Sequence, residues 1–431
     1  MISKKLLIVI TLIPLVSFLA QLRWSEFDNE TFNALNQSSL NYTGLLVSGH
    51  LWRLCFLSIA LLLFDDIIAG FRLAPLPIIV IVAWGLFSII WSIDPAASIV
   101  TTIDIIITLV FAVVIVQRIP IAQILTGIWA FMSLVVALSA VFALLGDEHA
   151  IMTGAHIGQW RGLFQHKNVF GQFVSLLLLI TLFSGKLVSI RRTLKNLVIL
   201  LCIFCLLKSN SMTSILASTA SIIVGWLSTI KMPSRNHRLI LYLSILFVVS
   251  YFAYIAASNL EYIYELTGRD LTLTGRTSFW AAVLPLSLTA PLGYGIGTAG
   301  DPFVVGVVQQ ATGLAAVRSV HSTFLQLALE LGWLPALIVT IWLMSRMVTA
   351  RYLPVAKQLA SLVASVATLL FFVGATEVGS GIYATLALLV LLICDSSLKQ
   401  QAAPPELDTK MPAHNRQPAL VQSSAARTGS R

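Results

Sequence analysis

Residues 158–183 read GQWRGLFQHKNVFGQFVSLLLLITLF, a polar stretch that runs directly into an apolar one. The segment 174–183 has no charged residue, so a helix through it has no solvated face. Similar runs recur along the chain at about the 20 residues that an α-helix needs to cross a bilayer. The 431 residues are 58% hydrophobic and only 10% charged, whereas a soluble domain carries far more surface charge. The sequence therefore predicts an all-α polytopic integral membrane protein.

Apolar windows bounded by polar residues, proline or glycine predict about twelve transmembrane helices. A long periplasmic loop, about residues 258–320, separates the ninth span from the tenth. The first span, which follows Lys4 and Lys5, also has the pattern of a signal peptide. We expect it to be retained, because a cleavage after Ala20 would place Phe18 where a small residue is needed. The predicted spans are 5–22, 44–64, 74–93, 97–117, 121–145, 168–185, 194–209, 212–230, 238–257, 322–345, 358–376 and 379–396.

The basic residues predict the orientation of these spans, since Lys and Arg are enriched in cytoplasmic connections. With a cytoplasmic amino terminus, the cytoplasmic connections and termini hold 19 of the 27 basic residues. Topology thus explains the formal net charge of +9 without nucleic-acid binding, and both termini are expected in the cytoplasm. The other eight lie on the outer side or within spans: Arg23, Arg53, Arg161, Lys167, Lys208, Arg269, Arg276 and Arg318.

The chain is expected to form one polytopic membrane domain, residues 1–398. Residues 399–431, rich in Pro, Ala, Ser and Gln, are expected to form a disordered cytoplasmic tail. We find no internal repeat and no pair of symmetrically interrupted helices, which weakens a transporter interpretation.

Two outer arginines have neighbours that favour anion binding. Arg161 lies just before a helix that begins near Asn168, a candidate N-cap. The free N–H groups and the dipole of a helix start, together with Arg161 and Lys167, make an anion site. Arg276 is expected on a tight turn beside Trp280. Two guanidinium forks suit a diphosphate, whose oxygens accept bidentate hydrogen bonds.

Other charged residues have simpler explanations. For Arg23, Lys208 and Arg269 we favour solvation or snorkelling to lipid headgroups. Arg53, Asp104 and Glu377 within spans are expected to face the interior of the bundle, because unpaired charge in a membrane is costly.

His321 starts the tenth span, on the same side as both arginines. A histidine there is either a wetted helix cap or a base able to take a proton from a sugar hydroxyl. Glu330, nine residues further on, falls on nearly the opposite face of a helix. A packing role for Glu330 is therefore as good an interpretation as orienting His321.

Three other sequence patterns have simpler explanations than a nucleotide, thiol or metal site. No βαβ unit surrounds the glycines of GYGIGTAG (293–300), so we expect a backbone that passes close to a ligand or a helix. Cys202 and Cys205 lie in an apolar run and are interpreted as buried small side chains. No cluster has metal-ligand spacing, so no metal and no other cofactor is expected.

The segments RGLFQHKNVFG, TGRTSFW, GYGIGT and HSTFLQLALELGWLP resemble the O-antigen ligase and polymerase superfamily over about residues 150–345. His321, Ser322 and Gly332 match the spacing of the family's histidine motif. Pro335 departs from the Gly, Thr or Tyr that usually ends it. The HKN string (166–168) is similar to that of the exopolysaccharide-polymerase branch.

This resemblance implies a metal-independent glycosyltransferase of the bacterial inner membrane with a periplasm-facing active site. Its donor would be an oligosaccharide linked through diphosphate to undecaprenol, and its acceptor another glycan, with a chain-length regulator as a candidate partner. Arg161 and Arg276 would hold the diphosphate, and His321 would deprotonate or orient the acceptor hydroxyl. His166 and Lys167 would contact the phosphate or the sugar of the substrate. Arg318 is the weakest candidate for a substrate contact.

Three functions stay open from sequence alone. Polymerisation of exopolysaccharide or O-antigen repeat units is the preferred interpretation, and an O-antigen ligase that transfers the glycan to lipid A core is the alternative within the same chemistry. A transporter or flippase of the lipid-linked glycan is the alternative from another class. It fits less well, because a flippase needs charge along a path through the bilayer and the basic residues here cluster at the outer end.

Overall fold

The computed structural model describes residues 64–164, 166–185, 187–188, 190–230, 276–313, 320, 322–349, 357–376 and 381–402. Within these ranges the regular elements are α-helices and two single 3₁₀ turns, and the β pairing is one isolated bridge. In chain order the helices are α1 (Phe64–Phe71), α2 (Leu76–Ser88), α3 (Pro95–Arg118), α4 (Ile121–Leu144), α5 (Lys167–Phe183), α6 (Arg192–Ser209), α7 (Met212–Leu227), α8 (Arg276–Thr289), α9 (Pro302–Thr312), α10 (Thr323–Leu331), α11 (Trp333–Thr349), α12 (Lys357–Thr376) and α13 (Gly381–Ala402).

The helices are those of a multi-pass membrane protein. In the described part, α3, α4 and α12 are long and apolar enough to cross a bilayer, and α5, α7, α8 and α11 are shorter apolar helices. Helices α1 and α2 meet at a bend of 119°. Eight predicted spans coincide with α2 to α7, α12 and α13. The spans 5–22, 238–257 and almost all of 44–64 lie outside the described residues.

The sequence prediction needs two corrections. The span 322–345 is two helices, α10 and α11, separated by Gly332. The predicted long loop contains two helices, α8 and α9. The α10–α11 break also accommodates Pro335, since the third residue of α11 makes no intrahelical N–H bond.

Helix α5 is the centre of the bundle. Its side chains Phe170, Phe173, Leu176 and Leu177 are fully buried, and the helix packs against α4, α6, α7 and α12. Small residues allow α5 and α7 to approach closely, with Ser218 Oγ donating to Ser175 Oγ at 2.7 Å.

The cysteine prediction is confirmed for the described residues. Cys202 and Cys205 on α6 and Cys394 on α13 are buried free thiols. Cys55 lies outside the described residues.

The connections between helices contact one another at two places, one at each end of the bundle. At one end of the bundle Arg118 pairs with Asp66, Arg346 pairs with Asp395, and Lys399 donates to the carbonyls of Leu73 and Ala74. All of these residues belong to the side predicted to be cytoplasmic. At the other end the connections after α4, α6 and α2 are joined to segments predicted to be on the outer side. The contacts therefore agree with the predicted alternation of sides in the described part.

Residues 291–300, here called the glycine loop, join α8 to α9 and pack on the α10–α11 break. Gly293, Gly295 and Gly297 have positive φ values of 77°, 108° and 82°, a region that suits glycine. A Cβ at Gly293 would overlap the backbone of Glu330. The alternative in which this backbone passes close to a helix is therefore confirmed.

Candidate functional site

The polar segment before α5 folds back on itself. Ile151 and Trp160 form the antiparallel bridge, and Met152 N–H donates to the Gln159 carbonyl at 2.7 Å. Trp160 N–H in turn donates to the carbonyl of Lys208 at 3.0 Å, near the end of α6. We call residues 147–166 the outer hairpin; it is anchored to α6 immediately before Arg161.

Arg161 is half-buried at the base of the outer hairpin. Its Nε donates to the carbonyl oxygen of His149 at 2.8 Å, which orients the guanidinium. Burial lowers the pKa of Arg161, and the nearby Asp147 carboxylate raises it. Gly162 beside it has a φ of 56° and packs on Ser139, so the chain turns directly into the start of α5. The local structure thus gives a partly desolvated, oriented guanidinium, the form that binds anions best.

The start of α5 is capped by His166, and the prediction of Asn168 as the cap was wrong. His166 Nδ1 accepts the N–H of Asn168 at 3.2 Å, and Asn168 lies inside the helix. The neighbouring Lys167 is only 8% exposed and donates from Nζ to the carbonyl of Asn210 at 3.4 Å. Asn210 ends α6 in the left-handed conformation, with φ 47°. Lys167 therefore ties the beginning of α5 to the end of α6.

Helix directions show where the start of α5 lies relative to α10. The end of α5 meets the beginning of α12, since Gly185 packs on Gln358. The two helices are thus antiparallel, and the end of α12 lies on the side of Lys167. Ser322, the N-cap of α10, donates to the carbonyl of Gly374 near that end of α12, at 3.4 Å. The beginnings of α5 and α10 therefore lie at the same end of the bundle.

The same reasoning places the start of α8. Its far end meets the end of α10, because Pro291 packs on Gly332. Helices α8 and α10 pack together, and Phe279, Val283, Val320 and Leu329 share one buried cluster. Arg276, the first residue of α8, thus lies at the end of the bundle where α10 begins. The prediction of a tight turn at Arg276 was wrong, since the residue is helical.

The structure therefore brings the backbone positions of three predicted site segments to one end of the bundle. Arg161 and His166 precede α5, and Lys167 begins it. Arg276 begins α8. Val320 and Ser322, which flank His321, lie just before α10. His321 and Arg318 themselves, and the side chain of Arg276, lie outside the described part of the structure. Asp104 is half-buried on α3. Arg53 and Glu377 are also outside the described ranges.

Sequence reasoning missed two neighbours of the predicted residues. His156 packs edge to face on His166, with ring centroids 5.7 Å apart. Nothing in their ten-residue separation indicates this contact. Lys208 lies over the rings of Trp160 and Phe204, with Nζ 5.9 Å and 5.8 Å from their centroids. The aromatic residues near Lys208 were visible in sequence, but its pairing with the outer hairpin was not.

Glu330 is buried, as a packing role requires, and its carboxyl oxygen accepts hydrogen bonds from Ala299 N–H at 3.2 Å and Gln326 Nε2 at 2.8 Å. Among the described residues, no group of three or more His, Cys, Asp or Glu side chains has a geometry for a metal ion.

Comparisons with known proteins agree with the resemblance read from the sequence. Residues 197–341 match the family model described as O-antigen ligase, a segment that contains Arg276, Arg318 and His321 but not the outer hairpin. The chain is 26% identical over 273 residues to the exopolysaccharide production protein ExoQ of Rhizobium meliloti (strain 1021). That alignment covers 60% of this chain and 61% of the relative, so the chain spans about three fifths of the relative's length. No solved structure matches the chain.

Proposed function

Starting from this likeness to the O-antigen ligase family, we propose that the protein is a glycosyltransferase of the bacterial inner membrane. It moves a glycan from undecaprenyl diphosphate onto a hydroxyl group of an acceptor glycan. The reaction polymerises repeat units of an exopolysaccharide or O-antigen. The relative's role in exopolysaccharide production favours the first of these polymers.

One observation carries the proposal: three polar segments far apart in sequence meet at one end of an apolar bundle. The starts of α5, α8 and α10 lie there, and each start carries or adjoins a candidate residue. The family match includes the segments of Arg276 and His321, which supports a role for these two segments in the reaction. We place this end on the periplasmic side and both termini in the cytoplasm, in accord with the positive-inside rule.

In the proposed reaction, the acceptor hydroxyl oxygen attacks the anomeric carbon of the donor glycan. A new C–O glycosidic bond forms while the bond between the anomeric carbon and the phosphate oxygen breaks. The hydroxyl proton passes to His321, and undecaprenyl diphosphate leaves. Arg161 and Arg276 stabilise the negative charge that develops on the leaving diphosphate.

The outer hairpin contributes orientation. The His149 carbonyl holds the Arg161 guanidinium, and the cap at His166 fixes the start of α5 beside it. We assign His166 and Lys167 to the edge of the phosphate or sugar site, with Arg318 as a further contact. The energy for transfer is already stored in the lipid-diphosphate linkage, so the proposed reaction requires neither a nucleotide nor a metal.

The proposal is tested by the envelope-glycan profile of a deletion strain. The strain is complemented with wild-type protein, with His321→Ala, or with His414→Ala as a matched histidine control in the tail. We expect wild type and His414→Ala to restore long secreted polysaccharide and His321→Ala to fail, at equal membrane abundance. Restoration by His321→Ala would refute the catalytic assignment.

The same profile separates the alternatives. Loss of the long lipopolysaccharide ladder, with full-length polymer accumulating on undecaprenyl diphosphate, would assign a ligase whose acceptor is lipid A core. Accumulation of single repeat units on the cytoplasmic face, measured with a membrane-impermeant lectin, would assign a flippase. Either result would replace the polymerase proposal.

A further inference from the structure

The carboxyl group of Glu330 lies at the junction between α10 and the glycine loop. Glu330 is in the last turn of α10 and is only 3% exposed. Besides Ala299 N–H and Gln326 Nε2, the backbone of Gly297 also forms a hydrogen bond to this carboxyl group. All three partners are donors, an arrangement that suits a group that only accepts, as a carboxylate does.

Backbone bonds beside Glu330 extend this junction. The carbonyls of Leu329 and Glu330 accept the N–H groups of Tyr294 and Gly295, each at 2.9 Å. They are among the last carbonyls of α10, which a helix end leaves without intrahelical partners. The glycine loop therefore supplies the hydrogen bonds that the α10–α11 break would otherwise lack.

The other side of the glycine loop is held by the end of α2, the start of α3 and the connection between them, here together called the α2–α3 connection. Ser98 Oγ donates to the carbonyl of Ile296 at 2.7 Å, and Ile296 N–H donates to Ser88 Oγ at 3.3 Å. Ile93 N–H donates to the carbonyl of Tyr294 at 3.0 Å. The loop is thus fixed between α10 on one side and the α2–α3 connection on the other.

We propose that Glu330 is a positioning residue for the transfer reaction. By holding the glycine loop against α10, it sets the packing of α8 on α10 and so the distance between their starting ends. Those ends carry Arg276 and adjoin His321, so Glu330 fixes the separation of the leaving-group site from the base. This inference rests on the proposed function.

Glutamine is the informative substitution at this position, because Glu330→Gln keeps the side-chain shape and replaces one acceptor oxygen with a donor. That NH₂ group faces an N–H donor, and one bond of the junction is lost. Because transfer depends on ångström-level alignment of the reacting groups, such a loosening affects turnover more than binding.

The experiment uses the full-length protein in nanodiscs with an undecaprenyl-diphosphate-linked oligosaccharide as both donor and acceptor. For Glu330→Gln we expect kcat to fall at least about tenfold, while KM for the donor stays within about threefold. The pH profile of kcat should keep the shape of the wild-type profile, since the base is unchanged. Hydrogen exchange of residues 297–299 should accelerate, and that of α4 should not.

Two further variants test which contact of the junction matters and provide a measurement if Glu330→Gln does not fold. Gln326→Leu removes a donor but leaves the contact between the carboxyl group and the loop backbone, so its kcat should stay within about threefold of wild type. Ser98→Ala loosens the loop from the far side and should show the same kcat-specific loss in a milder form. It therefore serves as the test if Glu330→Gln does not fold.

The outcomes separate the two proposals. If the wild-type protein transfers glycan and Glu330→Gln has wild-type kcat, the positioning role is refuted and the proposed function stands. A large rise in donor KM with unchanged kcat would also refute it, because Glu330 would then act on binding. If the wild-type protein transfers no glycan, the proposed function fails first and the positioning role fails with it.

Discussion

Replacing Gly332 by alanine is the sharpest test of the α10–α11 break. Gly332 has φ 86° and ψ 168°, a combination that is essentially restricted to glycine and costs about 1–3 kcal/mol for other residues. An added Cβ would also approach the carbonyl oxygen of Pro291 to less than 3.0 Å, against backbone that cannot rotate away. Overpacking of this kind costs about 1–3 kcal/mol. We therefore expect Gly332→Ala to lower the free energy of unfolding by about 2–6 kcal/mol.

Gly300→Ala, in the same glycine loop, is the matched control. No atom lies within 4 Å of a Cβ at Gly300, and its φ is not positive. This variant should be neutral or more stable by about 0.4–1 kcal/mol, because alanine restricts the unfolded chain. Unfolding is measured by SDS titration in mixed micelles with tryptophan fluorescence as the signal. Equal unfolding free energies for the two variants would refute the strained break and the close approach to Pro291.

Three other predictions follow from the site and the bundle. Arg161→Lys and Arg276→Lys keep the charge but lose the planar fork, so each should lower kcat/KM for the lipid-linked donor about 10- to 100-fold; near-normal values would rule out bidentate diphosphate binding. Arg346→Ala removes the 2.9 Å partner of the Asp395 carboxyl group, which is 1% exposed, and leaves only Lys399 at 3.9 Å, so it should destabilise the fold by about 3 kcal/mol, the low end of the cost of breaking a buried pair. Arg118→Ala, from a more exposed ion pair, should cost at most about 1 kcal/mol, and similar losses in both would contradict the distinction. Transfer activity should persist after EDTA treatment and dialysis; its loss, with recovery on adding a divalent cation, would show that the reaction needs a metal.

Hydrophobic patterning was sufficient to locate most helices in the described part. Helix α3, Pro95–Arg118, was predicted as 97–117 because its ends coincide with a proline and a charged residue. The break at Gly332 was missed because apolar residues continue on both sides of it, and a single glycine is compatible with a helix. Helix α8 was missed because polar residues begin it and Pro285 lies inside it, so that its apolar part, Phe279–Thr289, is shorter than a membrane span.

The sequence indicated which residue types form the candidate site, but it could not supply their partners. Arg161 and His166 were singled out by their polarity next to an apolar helix. The capping by His166 was not predicted, because histidine is an uncommon cap compared with asparagine. For Glu330 the sequence left a packing role and an orienting role open, and its partner Ala299 lies 31 positions away, on a loop whose path only tertiary packing determines.

The attachment of the glycine loop to the α2–α3 connection has a consequence for biogenesis. Ser98 and Ile296, which it joins, are 198 residues apart. At a synthesis rate of about 5–20 residues per second, the first half of the bundle is made about 10–40 s before its partner leaves the ribosome. During that interval the hydroxyls of Ser88 and Ser98 are inserted without the backbone groups that they will bind. The candidate site is therefore assembled only after the chain has been synthesised through Gly332, and a truncated amino-terminal half should be a substrate for membrane quality control.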